Sequence, residues 1–193
     1  MTAPGKAVSF PLPRRLAEQA LQIAQGDADA VIHEEGANNR GDQVEFFQHL
    51  LGGAPGDPWC ADFVSACLVK AYARLTGQPE DRLHLPDYVS AVRGHYLPLS
   101  DSCAALWKAA EGRYLARSRE FLPAPGDLIL FDFQNAGEPH HVGLVKRTQP
   151  ADSLFTTIEG NTWSGKAGDQ ADGDGVYVRR RILHSVFGFI HFG

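Results

Sequence analysis

Cysteine is scarce in this chain: Cys60, Cys67 and Cys103 are the only three, with no C-x-x-C pair among them. An odd, unpaired set excludes a disulfide framework, and no cysteine or histidine pair has the spacing of a structural zinc site. The three are expected to be free thiols of a protein made in a reducing compartment. Long apolar runs are also missing. No stretch reaches the roughly 18 consecutive apolar residues of a membrane helix, so membrane insertion is not expected. The opening M-T-A-P-G-K-A-V-S-F-P-L-P-R-R has no apolar core before a small-residue cleavage site. The expectation is therefore a protein made in the cytoplasm without a signal peptide, which acts outside only after lysis or through a secretion system. Positive charge is in deficit, with 18 Lys+Arg against 23 Asp+Glu and a net charge of −5. That balance argues against nucleic acid as a partner, because phosphate backbones reward a basic face. The one basic run, Arg179-Arg180-Arg181, lies between Val178 and Ile182 and reads as the charged face of a strand.

What is present is ordinary globular material: 193 residues, 44% hydrophobic and 21% charged, enough for one core. Residues 1–13, with Pro4, Pro11 and Pro13, read as an extended lead-in, and 14–193 as a single domain. Helical spacing covers Arg14 to Gln25, stopping at Gly26, and again a short segment from Gln43 to Leu51. The strongest helix begins at Cys60. Its apolar positions Phe63, Val64, Cys67, Leu68, Ala71 and Leu75 form one face, and Gly77 is placed to end it. Residues 78–123 read as turns around Pro79 and Pro86 followed by a helix near Ser102 to Ala110. Beyond Pro123 the period becomes two. Strands are expected over 127–133, 141–147, 154–159, 176–182 and 186–191, joined by links too short for helical crossovers. Helices first and strands after predict an α+β domain, with helices on one face of a mainly antiparallel sheet of five to six strands.

The stretch G-D-P-W-C-A-D-F-V-S-A-C-L-V-K-A, residues 56–71, distinguishes two thiols. Cys60 falls in the first turn of its helix, where unpaired N–H groups and the helix dipole favour a thiolate. Cys67, two turns on, gains neither benefit. Cys60 as a small core residue remains open on spacing alone. A thiol nucleophile needs an imidazole to take and return its proton. Of the eight histidines, His141 opens a strand after the turn N-A-G-E-P and shares a face with Gly143, whose missing side chain is expected to let the cysteine helix approach closely. His140 should point the opposite way, while His49 and His184 read as surface or half-buried. In I-E-G-N-T, Glu159 and Asn161 stand two apart, a spacing that suits one partner for an imidazole N–H and a second hydrogen bond, although such a pair at a strand end is by itself weak. Trp59 and Trp163 are candidates to stack on a sugar or peptide, or else core. The segment Gln170-Ala-Asp172-Gly-Asp174-Gly175 has part of a calcium-loop pattern. It lacks the first-position acid and carries Arg181 where a bidentate Glu is required, so it reads as a turn. No metal and no cofactor is expected.

Four blocks, W-C-A-D-F-V at 59–64, P-G-D-L-I-L-F at 125–131, H-V-G-L-V at 141–145 and I-E-G-N-T at 158–162, resemble the CHAP family in order and kind. These are cysteine- and histidine-dependent amidohydrolases and peptidases of the papain-like superfamily that cleave peptidoglycan. The segments E-E-G-A-N-N-R-G and D-G-D-G-V-Y-V-R-R are similar to flanking segments of endolysin-like members. The resemblance implies a papain-like fold, Cys60 as nucleophile, His141 as general base, Glu159 orienting the imidazole and Asn161 supporting it. It further implies peptidoglycan or a peptide as substrate, with the chain acting as an N-acetylmuramoyl-L-alanine amidase or a peptide endopeptidase. A monomer is expected. The doubled His140-His141 and the long segment 78–123 depart from the family pattern. Two other readings stand beside hydrolysis: a cell-wall- or partner-binding module on the same fold without turnover, and an acyltransferase using the same site.

Overall fold

The computed structural model describes residues 12–96, 99–165 and 172–193. Nearly all of the expected lead-in therefore lies outside the described residues, as does the first position of the calcium-like segment. Among the described residues five α-helices precede six strands: α1 (Pro13–Asp29), α2 (Asp42–Leu51), α3 (Cys60–Thr76), α4 (Leu85–His95), α5 (Cys103–Glu111), β1 (Ala116–Ser118), β2 (Leu128–Phe131), β3 (His141–Gln149), β4 (Leu154–Thr162), β5 (Gly175–Ile182) and β6 (Val186–Ile190). The sheet runs in the order β1-β6-β2-β3-β4-β5, every pair antiparallel. This is the expected α+β layout.

Several boundaries differ from the sequence reading, each for a local reason. Pro13 does not end a lead-in but starts α1, a position where its missing N–H costs nothing. Helix α1 also runs through Gly26 to Asp29. A lone helical glycine costs only about 1 kcal/mol, and beyond it Gln25 donates to Asp29 at 2.7 Å while Asp27 pairs with Lys70 of α3 at 3.5 Å. Helix α4 went unread because Pro86 resembles a turn signal; it occupies the first turn of the helix instead. Strand β1 is three residues long and pairs with β6 at the sheet edge. Gly77 ends α3 as expected, in the left-handed conformation.

Helix α3 is central. From Cys60 to Val69 every residue is buried, Asp62 and Ser65 included, so the helix is enclosed on all sides rather than apolar on one face. It packs against α1, α2, α4 and the strands β3 and β4. Alternation along the sheet divides the core in two. Leu128, Leu130, Val142, Leu144, Ile158 and Ile190 face the helices, and Ile129, Phe131, Val145, Phe155, Val186 and Phe189 form a second cluster. Phe121, Phe133 and Leu183 pack against that second cluster. The register puts His141 opposite Phe131 and Gly143 opposite Ile129, so both belong to the second face. Gly143 accordingly does not make room for the cysteine helix. A Cβ there would stand 2.5 Å from the Glu159 side chain, so the space serves the carboxylate. The close approach to α3 occurs at Gly160, where a Cβ would lie 2.7 Å from both Phe63 and Trp59. No described helix is long and apolar enough to cross a membrane.

Candidate active site

Cys60 is the first residue of α3, and the residue before it is locked in place. Trp59 is fully buried. Its indole N–H donates to Glu34 Oε1 at 2.9 Å, and its ring stacks on Phe47 with centroids 6.0 Å apart. It is thus a core anchor beneath the site, the second of the two readings open to it, and has no surface to offer a substrate. Asn161 also differs from its expected role. With its amide oriented to satisfy its neighbours, its oxygen accepts from the Trp59 backbone N–H at 3.2 Å, and its nitrogen donates to Gly173 C=O at 2.9 Å and Asn39 Oδ1 at 3.0 Å. The residue has φ +53°, a left-handed conformation that Asn tolerates better than most side chains. Asn161 therefore fixes the entry to the cysteine helix and does not hydrogen-bond the imidazole. Glu34, unread in the sequence, ties the loop before α2 to the same anchor and also accepts from the Asn39 N–H at 2.8 Å.

Three adjacent strands place one polar side chain each in a buried row: His141 at the start of β3, Glu159 in β4 and Arg181 in β5. His141 Nε2 lies 2.9 Å from Glu159 Oε2, and beside a carboxylate that nitrogen carries the proton. Arg181 Nε donates to both carboxylate oxygens, at 2.9 and 3.2 Å, and its Nη2 reaches Glu159 and, at 3.1 Å, Thr162 Oγ1. Thr157 Oγ1 donates to Glu159 Oε1. The guanidinium also lies over the rings of Phe131 and Phe133, at 5.4 and 5.0 Å. Arg181 was legible in the sequence only as one of three arginines on a strand face. Its register opposite Phe155 turns it inward while Arg180 faces outward.

The electrostatics follow from this packing. Burial would raise the Glu159 pKa, but hydrogen bonds and charge from Arg181 and His141 overcome it and hold the carboxyl down at about 2. Burial would likewise discharge His141. The negative sulfur of Cys60, together with Glu159, instead lifts the imidazole to about 9. With Nε2 committed to Glu159, the buried His141 Nδ1 has no hydrogen-bond partner among the described residues and is the ring atom open to exchange a proton with the sulfur. The Cys60 thiol falls well below the ordinary thiol range. The largest cause is a hydrogen bond from Cys103, which together with His141 and the Val142 N–H outweighs burial. Cys67, by contrast, is pushed up by burial. Negative charge on the Cys60 sulfur and positive charge on the His141 ring therefore favour each other.

A cleft of about 400 Å³ opens at Cys60. It is bounded by Asp57, Pro58 and Cys60 entering α3, by Asp101, Ser102 and Cys103 entering α5, and by Glu138, Pro139 and His140 entering β3. The long segment between helix and sheet thus supplies one wall. His140 accepts the Phe133 N–H through Nε2 at 3.2 Å and flanks the cleft without joining the Glu159 row. Trp163 is 40% exposed at the end of β4 and is not among the residues lining the cleft. Below Cys60, Asp62 is buried with neither carboxylate oxygen hydrogen-bonded among the described residues, and burial together with the nearby Asp101, Cys60 and Asp57 raises it to about 8.

A family model described as the CHAP domain matches residues 52–161, which include Cys60, His141 and Glu159. No curated protein matches the chain. A solved structure titled "The crystal structure of Ly7917" is 14% identical over 91% of this chain, with a TM-score of 0.44. The chain spans 62% of the length of that protein.

Proposed function

We propose, proceeding from the fact that the chain belongs to the CHAP family of cysteine- and histidine-dependent amidohydrolases and peptidases, that it hydrolyses an amide bond of peptidoglycan. The observation that supports the reading is the buried contact of His141 Nε2 with Glu159 Oε2 at 2.9 Å, which leaves Nδ1 open on a ring whose charge is coupled to the Cys60 sulfur at the head of α3. In this reading the Cys60 thiolate attacks the substrate carbonyl. The N–H groups of the first turn of α3, which lack intrahelical partners, face the oxyanion that develops. His141, already protonated, gives its proton to the leaving amine, and then takes one from the water that releases the acyl group. Glu159 keeps the ring oriented and stabilises its charge. Peptidoglycan as the substrate rests on family membership and on an open cleft that an extended peptide could enter.

The test is mass spectrometry of fragments released from purified sacculi. New amino termini, or lactyl ends freed of their peptide, are expected from the unaltered protein and should be absent with Cys60→Ala of the same folded content. Fragments released equally by both would end the proposal.

A further inference from the structure

The cleft contains a second thiol that the mechanism above does not use. Cys103 Sγ lies 3.6 Å from Cys60 Sγ. Both residues are buried, and each is the first residue of its helix, α3 and α5. Ser102 fixes the start of α5 by accepting the Ala105 N–H at 3.4 Å, so Cys103 is held by a capped helix rather than a free loop. Two sulfurs this close cannot both be ionised, because like charges at contact disfavour each other strongly. One proton must therefore stay on the pair, and the surroundings decide which sulfur keeps it. Cys60 has the His141 imidazolium and the Val142 N–H beside it. Cys103 has instead the negative sulfur and the Asp62 carboxyl as neighbours, and its pKa is driven well above the usual range, first by its bond to Cys60 and then by burial.

We infer that Cys103 is a positioning residue of the active site: its S–H donates to the Cys60 sulfur and holds the nucleophile ionised and aimed into the cleft. The inference rests on Cys60 being the nucleophile. The hydrogen bond is strongest to the charged sulfur of the resting enzyme and weakens as the sulfur bonds to carbon, so it sets the pH at which the enzyme is armed more than the barrier of the attack.

The experiment is the pH dependence of iodoacetamide alkylation, read peptide by peptide by mass spectrometry. In the unaltered protein Cys60 should react near neutral pH ahead of Cys67 and Cys103. With Cys103→Ala the Cys60 profile should move up by about one pH unit, the scale of one hydrogen bond to a charged group, while the rate at the alkaline plateau is kept. Cys103→Ser, which restores a donor of similar size, should bring the profile back toward its original position. An unmoved profile in Cys103→Ala, or equal displacement in Ala and Ser variants, overturns the donor role and leaves the nucleophile standing. Failure of Cys60 to lead Cys67 in the unaltered protein overturns the nucleophile reading itself, and the inference with it.

Discussion

Glu159 shows how much a single carboxylate is asked to do. It receives Arg181, Thr157 and His141 while wholly buried, a setting in which an unpaired charge would be very costly. The consequence is a ring that stays cationic over an unusual range. Since His141 is raised to about 9, the proton needed by the leaving amine is present throughout neutral pH and is lost as pH rises through that value. Cys60 is shifted the other way, so the nucleophile is lost as pH falls through a value well below the ordinary thiol range. Activity is therefore expected to form a broad plateau that declines above about pH 9, measurable as initial rates on a soluble muropeptide or peptide substrate. A decline centred near 6.5, the ordinary imidazole value, would contradict the pairing. Much of this was legible. A cysteine at a helix start, a histidine opening a strand and a glutamate two before an asparagine are local signals. Arg181 and Asn161 were not legible in their actual roles, because inward or outward orientation depends on register and on a left-handed turn, neither of which spacing reports.

At the scale of elements, the position of the nucleophile depends on how closely α3 lies on β4. Gly160 has no side chain where Phe63 and Trp59 press in, and any Cβ would overlap both. Gly160→Ala should overpack this contact and cost about 1–3 kcal/mol, seen as a lower midpoint in denaturant. Thiol reactivity should fall with it, because the displaced helix carries Cys60. The sequence reading chose the wrong glycine here. Both glycines lie in strands next to site residues, and only the pairing of β3 with β4 reveals that Gly143 accommodates a neighbouring side chain within the sheet. Helix α4 and strand β1 were lost for different reasons. One is introduced by a proline that looks like a break, and the other is too short to carry a period.

At the scale of the whole molecule, one buried acid joins distant parts of the chain. Asp127, just before β2, accepts from Arg14 of α1 at 2.8 Å, from the Ala124 N–H at 2.8 Å and from the Phe192 N–H at 3.4 Å, and pairs with His191 at 2.9 Å. Arg14 also donates to the Pro125 carbonyl beside it. Asp127→Ala would leave several of these donors without a partner. It should destabilise the fold by about 1–3 kcal/mol, measured by thermal or urea unfolding, without touching the reacting groups. The order of helices before strands was evident from the change of period after Pro123. The clasp was not, because it links residues that no local pattern connects.

The division of labour between Cys60 and Cys67 inverts a familiar rule at one position. Folding usually conceals sulfur from solution reagents, and it does so at Cys67, whose acidity burial suppresses. At Cys60 folding lowers the thiol pKa instead, since Cys103 and the His141 ring, both distant along the chain, reach the sulfur only when helices and sheet dock. The two thiols, two turns apart on one helix, thus respond to assembly in opposite senses, and their ratio is a gauge of the native population carried within the chain.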